Sequence, residues 1–277
     1  MKENIHNKCK LSIIVPTYNP KEYIFCCLKS ILNNDLSIEE YEIIVIYNGK
    51  KNRLYNELSS FCSKYHHINL LYTSIAGVSN ARNIGLNNSN GQYVSFIDDD
   101  DWISPNYLVN MLNLAEDNVI VCSNVKAYNE GSGLYINDYI GMEFNKLKEN
   151  KSIKNSVFNY RRFLSSSCCK IIPMDVINNV RFNTKIKLSE DSLFMFEISK
   201  NIKFITLSDE YSIYYRRVRE LSCSNKKQRK FFLLGQRFNV FLAYINLYIS
   251  NSKKYNFLFF ISRLVATFKH VLNIFKL

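Results

Sequence analysis

The chain lacks the marks of several large protein classes. None of its eight cysteines belongs to a Cys-x-x-Cys pair, so the common zinc and dithiol spacings are missing. The opening Met1–Lys8 stretch holds no apolar core of signal-peptide length. Export by that route is not expected, and Cys9, Cys26, Cys27, Cys62, Cys122, Cys168, Cys169 and Cys223 read as reduced thiols rather than a disulfide framework. No Gly-x-x-x-x-Gly-Lys-Ser/Thr loop is present, which argues against a P-loop enzyme. There is no internal repeat, and no apolar run is both long and free of charge, as a membrane span would be. Acid is missing altogether from Leu221 to Leu277, where ten Lys and Arg leave a charge of +10.

What is present is the composition of a folded chain, with 47% hydrophobic and 22% charged residues. Its 277 residues suit one large domain with a smaller appendage. Outside the cationic tail the chain holds 26 basic and 24 acidic residues and is nearly neutral. The asymmetry points to a partner for the tail alone, an anionic membrane surface or nucleic acid.

Short apolar runs at 11–15, 42–46, 68–72, 93–97 and 119–122 read as buried strands. Between them, 23–32, 54–65, 77–86 and 107–116 carry helical spacing. Pro16 is expected to end the first strand. The Asn48-Gly49 pair marks a turn after the second. Strand–helix alternation of this kind implies an open, mostly parallel α/β sheet, whose ligands bind beyond the carboxyl ends of the strands. The segment 129–154 shows no sustained period and reads as a loop; 211–215 reads as a late strand.

The stretch that organises the rest is Phe96-Ile97-Asp98-Asp99-Asp100-Asp101-Trp102. Four adjoining carboxylates repel one another and destabilise a fold unless a cation sits among them. An acidic turn or a helix N-cap is the plain explanation for such a run. Its place at the end of an apolar strand favours a hard divalent cation, Mn²⁺ or Mg²⁺, completed by phosphate oxygens. A second acidic pair, Glu190-Asp191, follows Ser189, which reads as an N-cap.

Four segments in order, Val15-Pro16-Thr17-Tyr18-Asn19, Gly77 to Gly85, Phe96 to Asp101 and Glu190-Asp191-Ser192, resemble the inverting family 2 glycosyltransferases of bacterial surface-polysaccharide type. The resemblance covers about 11–224. It implies a GT-A fold, that is, a Rossmann-like open sheet flanked by helices, over residues 1–220. A nucleotide-binding half at about 11–102 and an acceptor half at 103–220 would be followed by a basic helical tail, 221–277. It further implies a nucleotide-sugar donor, a UDP-sugar foremost, and a saccharide or lipid-linked acceptor. Pro16, Thr17 and Tyr18 would hold the donor base, with Asn48 at its edge. Asp98 and Asp100 match the outer positions of the Asp-x-Asp motif and would bind metal; Asp99 would contact ribose or metal. Arg82 would approach the diphosphate or brace the acids, and Arg219, in an Arg-x-x-Ser pattern with Ser222, would clamp phosphate. Asp191 matches the general base. Asp101 is expected to cap the next helix.

In the tail, helical winding places Arg263, Lys269, His270, Asn273 and Lys276 on one arc of about 140° and an apolar set, Ile261 to Phe275, opposite. This is the pattern of an amphipathic helix lying in a membrane interface. The alternative is a helix pair packed on the catalytic domain with its basic residues solvated. The sequence therefore suggests a cytoplasmic enzyme peripheral to the inner face of the cell membrane, with no nucleic-acid partner. Nucleotidyl or phosphoryl transfer, and non-enzymatic binding of membrane or nucleic acid through the tail, are the alternatives.

Overall fold

The computed structural model describes residues 9–150, 152–219 and 230–276. The chain begins by alternating strands and helices: β1 (Leu11–Tyr18), α1 (Tyr23–Leu32), β2 (Tyr41–Asn48), α2 (Arg53–Cys62), β3 (Ile68–Thr73), α3 (Val78–Asn87) and β4 (Tyr93–Phe96). A middle section follows with β5 (Trp102–Ile103), α4 (Tyr107–Leu112), β6 (Val119–Cys122), β7 (Asn124–Asn129), β8 (Leu134–Ile136) and α5 (Tyr139–Glu149). The last strands and helices are β9 (Lys170–Pro173), α6 (Met174–Ile177), α7 (Glu190–Ile198), β10 (Phe204–Leu207), β11 (Ile213–Val218), α8 (Lys230–Ser250) and α9 (Phe257–Lys276).

Seven strands form the main sheet in the order β10-β6-β9-β4-β1-β2-β3. All neighbours run parallel except at β9, which is antiparallel to both β4 and β6. The mixed α/β architecture with a mostly parallel sheet is thus the one expected. A four-stranded sheet, β5-β11-β7-β8, lies beside it. The central strands β1 and β2 are buried on both faces, which is why they read as continuous Ile/Val runs rather than alternating ones. Helix α3 approaches β1 so closely that a Cβ on Gly85 would lie 2.5 Å from Ile14 Cγ2.

Three expectations are corrected. Pro16 does not end β1; the strand continues to Tyr18, pairing Pro16 with Ile46 of β2. Even-numbered residues of β1 bond toward β4, and the last such rung is Ile97 N to Ile14 O. The missing N–H of Pro16 therefore falls beyond the end of that ladder, where no partner is lost. Segment 129–154 is not a loop. Asp138 accepts a hydrogen bond from Ile140 N at 2.7 Å and starts α5, which buries Ile140, Phe144 and Leu147 at helical spacing.

The third concerns the tail. Of its two helices, Val240, Tyr244 and Phe259 join the one buried core, as in the packed-pair alternative. Phe196 of α7 stacks on Tyr255 at 4.8 Å and meets Tyr244 edge-on at 5.1 Å. Arg263, expected on a solvated basic face, is buried and donates to Ser192 Oγ (3.0 Å) and Arg161 O (2.8 Å). A helical wheel fixes which residues share a face, but not which face packs.

Candidate active site

Strand β1 lies between β4 and β2, although it precedes both in the chain. The loops leaving β1 and β4 therefore diverge, and a crevice opens at their carboxyl ends. Register carries Tyr18 opposite Asn48, and Asn48 opposite Thr73, so three loops meet at this edge. Thr17 Oγ donates to an Asp99 carboxylate oxygen and ties the β1 end to the acidic run. Asn48 is buried: its Nδ2 donates to Thr17 O (2.7 Å) and its Oδ1 accepts from Gly77 N (3.0 Å). It braces the three loops from beneath, and Pro16 is likewise interior. Tyr18 is exposed, with its ring 3.0 Å from where a Gly49 Cβ would sit; Gly49, at φ +110°, leaves that ring its place.

The four acids point different ways. Asp98 pairs with Arg82 at 3.0 Å, and its N–H donates to Tyr214 OH at 3.1 Å. Asp100 pairs with Arg219, while Arg217 Nε donates to the Asp100 carbonyl at 2.9 Å. Asp101 does not cap α4. It is buried, accepting from Tyr214 OH (2.7 Å) and Arg217 N (2.7 Å) of β11. Burial, with Asp100 and Asp98 adding repulsion, holds its carboxyl well above the usual range. Burial is also the main reason that Asp99 is pushed up to about 7; the Thr17 bond opposes it, and Asp100 and Asp98 add to it.

Between about pH 4 and 7, therefore, the folded chain holds a proton at Asp99 that the unfolded chain has released. Stability from this group is full at the acid end and is lost as pH rises toward 7. Denaturant unfolding across that range should show the decline, and Asp99→Asn should make it shallower, leaving the part due to Glu190.

Arg82 is only 3% exposed, and its guanidinium reaches two acids at once: Asp98 and Asp191, the latter 109 residues after Arg82 itself. Burial alone would lower its pKa, but Asp191 and Asp98 together outweigh burial and hold it above the ordinary value. Asp191 lies in the first turn of α7 and also accepts weakly from Ser167 N at 3.4 Å. Its neighbour Glu190 is pushed up to about 7 by burial and then by Asp191. Ser189 occupies the N-cap position as expected but makes no capping bond. Its backbone is left-handed (φ 65°), and its Oγ accepts from Arg237 of α8 at 2.6 Å. Ser192 is held by Tyr244 (2.7 Å) and Arg263, so the helix that carries Asp191 is gripped from behind by α8 and α9.

A cavity of about 90 Å³ is lined by Tyr18, Asn19, Tyr23, Asp99, Asp100 and Arg219. A larger groove, about 720 Å³, lies at the opposite edge of the sheet beside Tyr41 and His67; it contains no acid, and the smaller cavity is where the chemistry gathers. Among the described residues no three His, Cys, Asp or Glu side chains converge into a metal cage. Asp98 and Asp100, each paired with an arginine, carry the oxygen donors of a hard cation that takes one or two carboxylates and fills its remaining positions with phosphate and water. Burial first, and then repulsion from Asp98, raise the pKa of Asp100, and a cation bound there would offset both. Ser222 lies outside the described residues.

Sequence reasoning missed Tyr214 and Arg217, which tie β11 to the acids, and the Ser192–Arg263 link. The cations Arg216, Arg217 and Arg219, packed into four positions, were the available sign that a strand would face four acids.

The glycosyl transferase family 2 profile matches residues 12–181, more than half of the chain. Glycosyltransferase GlyA of Streptococcus pneumoniae serotype 4 is 30% identical over 227 residues, which cover 78% of this chain and 31% of GlyA. Poly(ribitol-phosphate) beta-N-acetylglucosaminyltransferase TarP of Staphylococcus aureus is 29% identical over 78% of this chain and 65% of TarP. The chain thus spans about a third of the first relative and about two thirds of the second. S. aureus TarS 1–349, solved with UDP-GlcNAc, superposes with a TM-score of 0.68 at 20% identity over 86% of this chain and 67% of TarS 1–349, a likeness of fold. With the profile lying across β1 to β4 and the acidic run, the chain belongs to glycosyl transferase family 2.

Proposed function

We propose that the protein transfers a sugar from a UDP-sugar to a hydroxyl of a saccharide or lipid-linked acceptor, with inversion, during assembly of a bacterial surface polysaccharide. The observation that carries this reading is the Arg82 bridge, which puts the acid at the β4 end and the acid at the α7 start on one guanidinium. The two are the groups that a displacement needs on opposite sides of a reacting carbon. TarP is named for N-acetylglucosamine transfer and TarS was solved with UDP-GlcNAc, which makes UDP-GlcNAc the first donor to try.

Asp191 accepts the proton of the acceptor hydroxyl as its oxygen bonds to the anomeric carbon. The bond from that carbon to the diphosphate oxygen breaks, and its electron pair leaves with the nucleoside diphosphate. Tyr18 offers an exposed ring for the base, and Arg219 a guanidinium at the cavity wall for phosphate. Arg82 holds the Asp191 carboxylate in place through its Nη1 contact. A divalent metal held by Asp98 and Asp100 would neutralise the charge growing on the diphosphate.

Thermal shift across UDP-, GDP-, CMP- and dTDP-sugars with Mn²⁺ should single out a UDP-sugar, since a ligand of the native state raises its melting temperature. With an acceptor present, that donor should release UDP. EDTA should lower the release by a factor of at least about 10, with recovery on added Mn²⁺. Release unchanged by EDTA would remove the metal from the scheme; no shift with any donor would remove the donor site.

A further inference from the structure

Amphipathic helices on a domain normally turn their apolar side inward; α8 and α9 also carry an apolar side that faces out. At 3.6 residues per turn, Phe257, Ile261, Val265, Phe268, Leu272 and Phe275 of α9 fall within an arc of about 80°, and every one of them is exposed. The buried residues of that helix, Phe259, Arg263, Thr267 and Ile274 among them, lie on the other side. In α8, Phe231, Phe238, Leu242 and Ile249 share an arc of about 40°, with Phe231 89% exposed; the buried Val240 and Tyr244 are opposite. Two packed neighbouring helices thus each present an apolar stripe directed away from the body. A patch of this kind marks an interaction surface.

We infer that these two stripes dock the protein on an anionic bilayer surface, with α8 and α9 lying in the plane of the interface. Charge decides the occupant. Residues 221–277 hold ten Lys and Arg and no acid, and Lys230, Lys253, Lys254 and Lys269 are exposed around the stripes. Pairing the same face on a second copy would bring two such cationic tails together with no counter-charge. Nucleic acid would answer the charge but has no use for a Phe and Leu stripe. An anionic leaflet answers both: apolar side chains enter the acyl boundary while lysines meet headgroups. Although α9 is long and apolar enough to cross a bilayer, the hold of its buried Arg263 on Ser192 and Arg161 keeps it against the body. The inference is independent of the proposed transfer reaction.

The test is sedimentation of the full chain with vesicles at about 0.1 M salt. Vesicles of phosphatidylcholine with about one quarter phosphatidylglycerol should bind at least tenfold more tightly than phosphatidylcholine alone. The triple variant Phe257→Ser, Phe268→Ser, Phe275→Ser should lose at least tenfold in binding to the anionic vesicles. Its melting temperature should stay within about 2 °C, because the three side chains are exposed in the folded chain. Equal binding by variant and parent would overturn the inference. So would a parent dimer that the variant converts to monomer without any vesicle binding, which would make the face a contact between copies. Bound protein that resists alkaline carbonate would overturn the in-plane placement.

Discussion

Asp191→Asn should lower turnover by about 10³-fold while leaving nucleotide binding intact. The amide is nearly the same size as the carboxylate, and its oxygen can still accept from Arg82 Nη1, the partner of Asp191 Oδ1. Besides the weak bond from Ser167 N, the variant removes the capacity to take a proton from the acceptor hydroxyl. Its Tm rise with UDP and Mn²⁺ should therefore match the parent, whereas UDP release in the presence of acceptor should collapse. Glu190 is the rival base, adjacent in sequence and pushed up to about 7. At neutral pH a carboxyl with that value is partly protonated, and among the described residues Glu190 makes no ion pair with Arg82, whereas Asp191 holds the guanidinium directly. Glu190→Gln should keep most of the turnover. If the two variants behave the other way round, the base has been assigned to the wrong member of the pair.

The contrast between legible and illegible parts of this chain follows the range of the forces involved. Strands β1, β2 and β4 were visible because a strand buried on both faces needs a short β-branched run and little else. The convergence of Thr17, Asn48 and Asp98–Asp101 was visible too, because strand–helix alternation forces the loops to one edge. Asp101 was misread because its role is set from far away. Tyr214 and Arg217 stand 113 and 116 residues downstream, and without them an acid before Ser-Pro looks like a cap. Arg263 fails for a related reason: its local period is correct, but burial depends on Ser192 of another helix. Asn48 was placed at the correct strand end, yet its amide faces Thr17 and Gly77, a direction that only the folded loops define.

Arg82→Met should damage both the fold and the reaction, and the two effects can be separated. In the parent, one buried cation serves two acids. Methionine retains the apolar stem that packs in α3 but leaves Asp98 and Asp191 facing each other without a counter-ion. Breaking a buried pair from one side typically costs about 3–5 kcal/mol; the lower figure applies here, because Asp98 is 40% exposed and water screens that arm. Urea unfolding should show a loss of about 3 kcal/mol at neutral pH. The reaction should slow as well: without the guanidinium Asp191 loses the contact that aims it, and kcat should fall on the order of 10²-fold. Arg82→Lys keeps the charge but not the planar fork, whose two terminal nitrogens reach Asp191 and Asp98 separately. It should recover most of the stability and little of the rate. A lysine variant with full activity would mean that the guanidinium supplies charge alone, and that the alignment of Asp191 rests on Ser167 and on the grip of α8 and α9 behind Ser192.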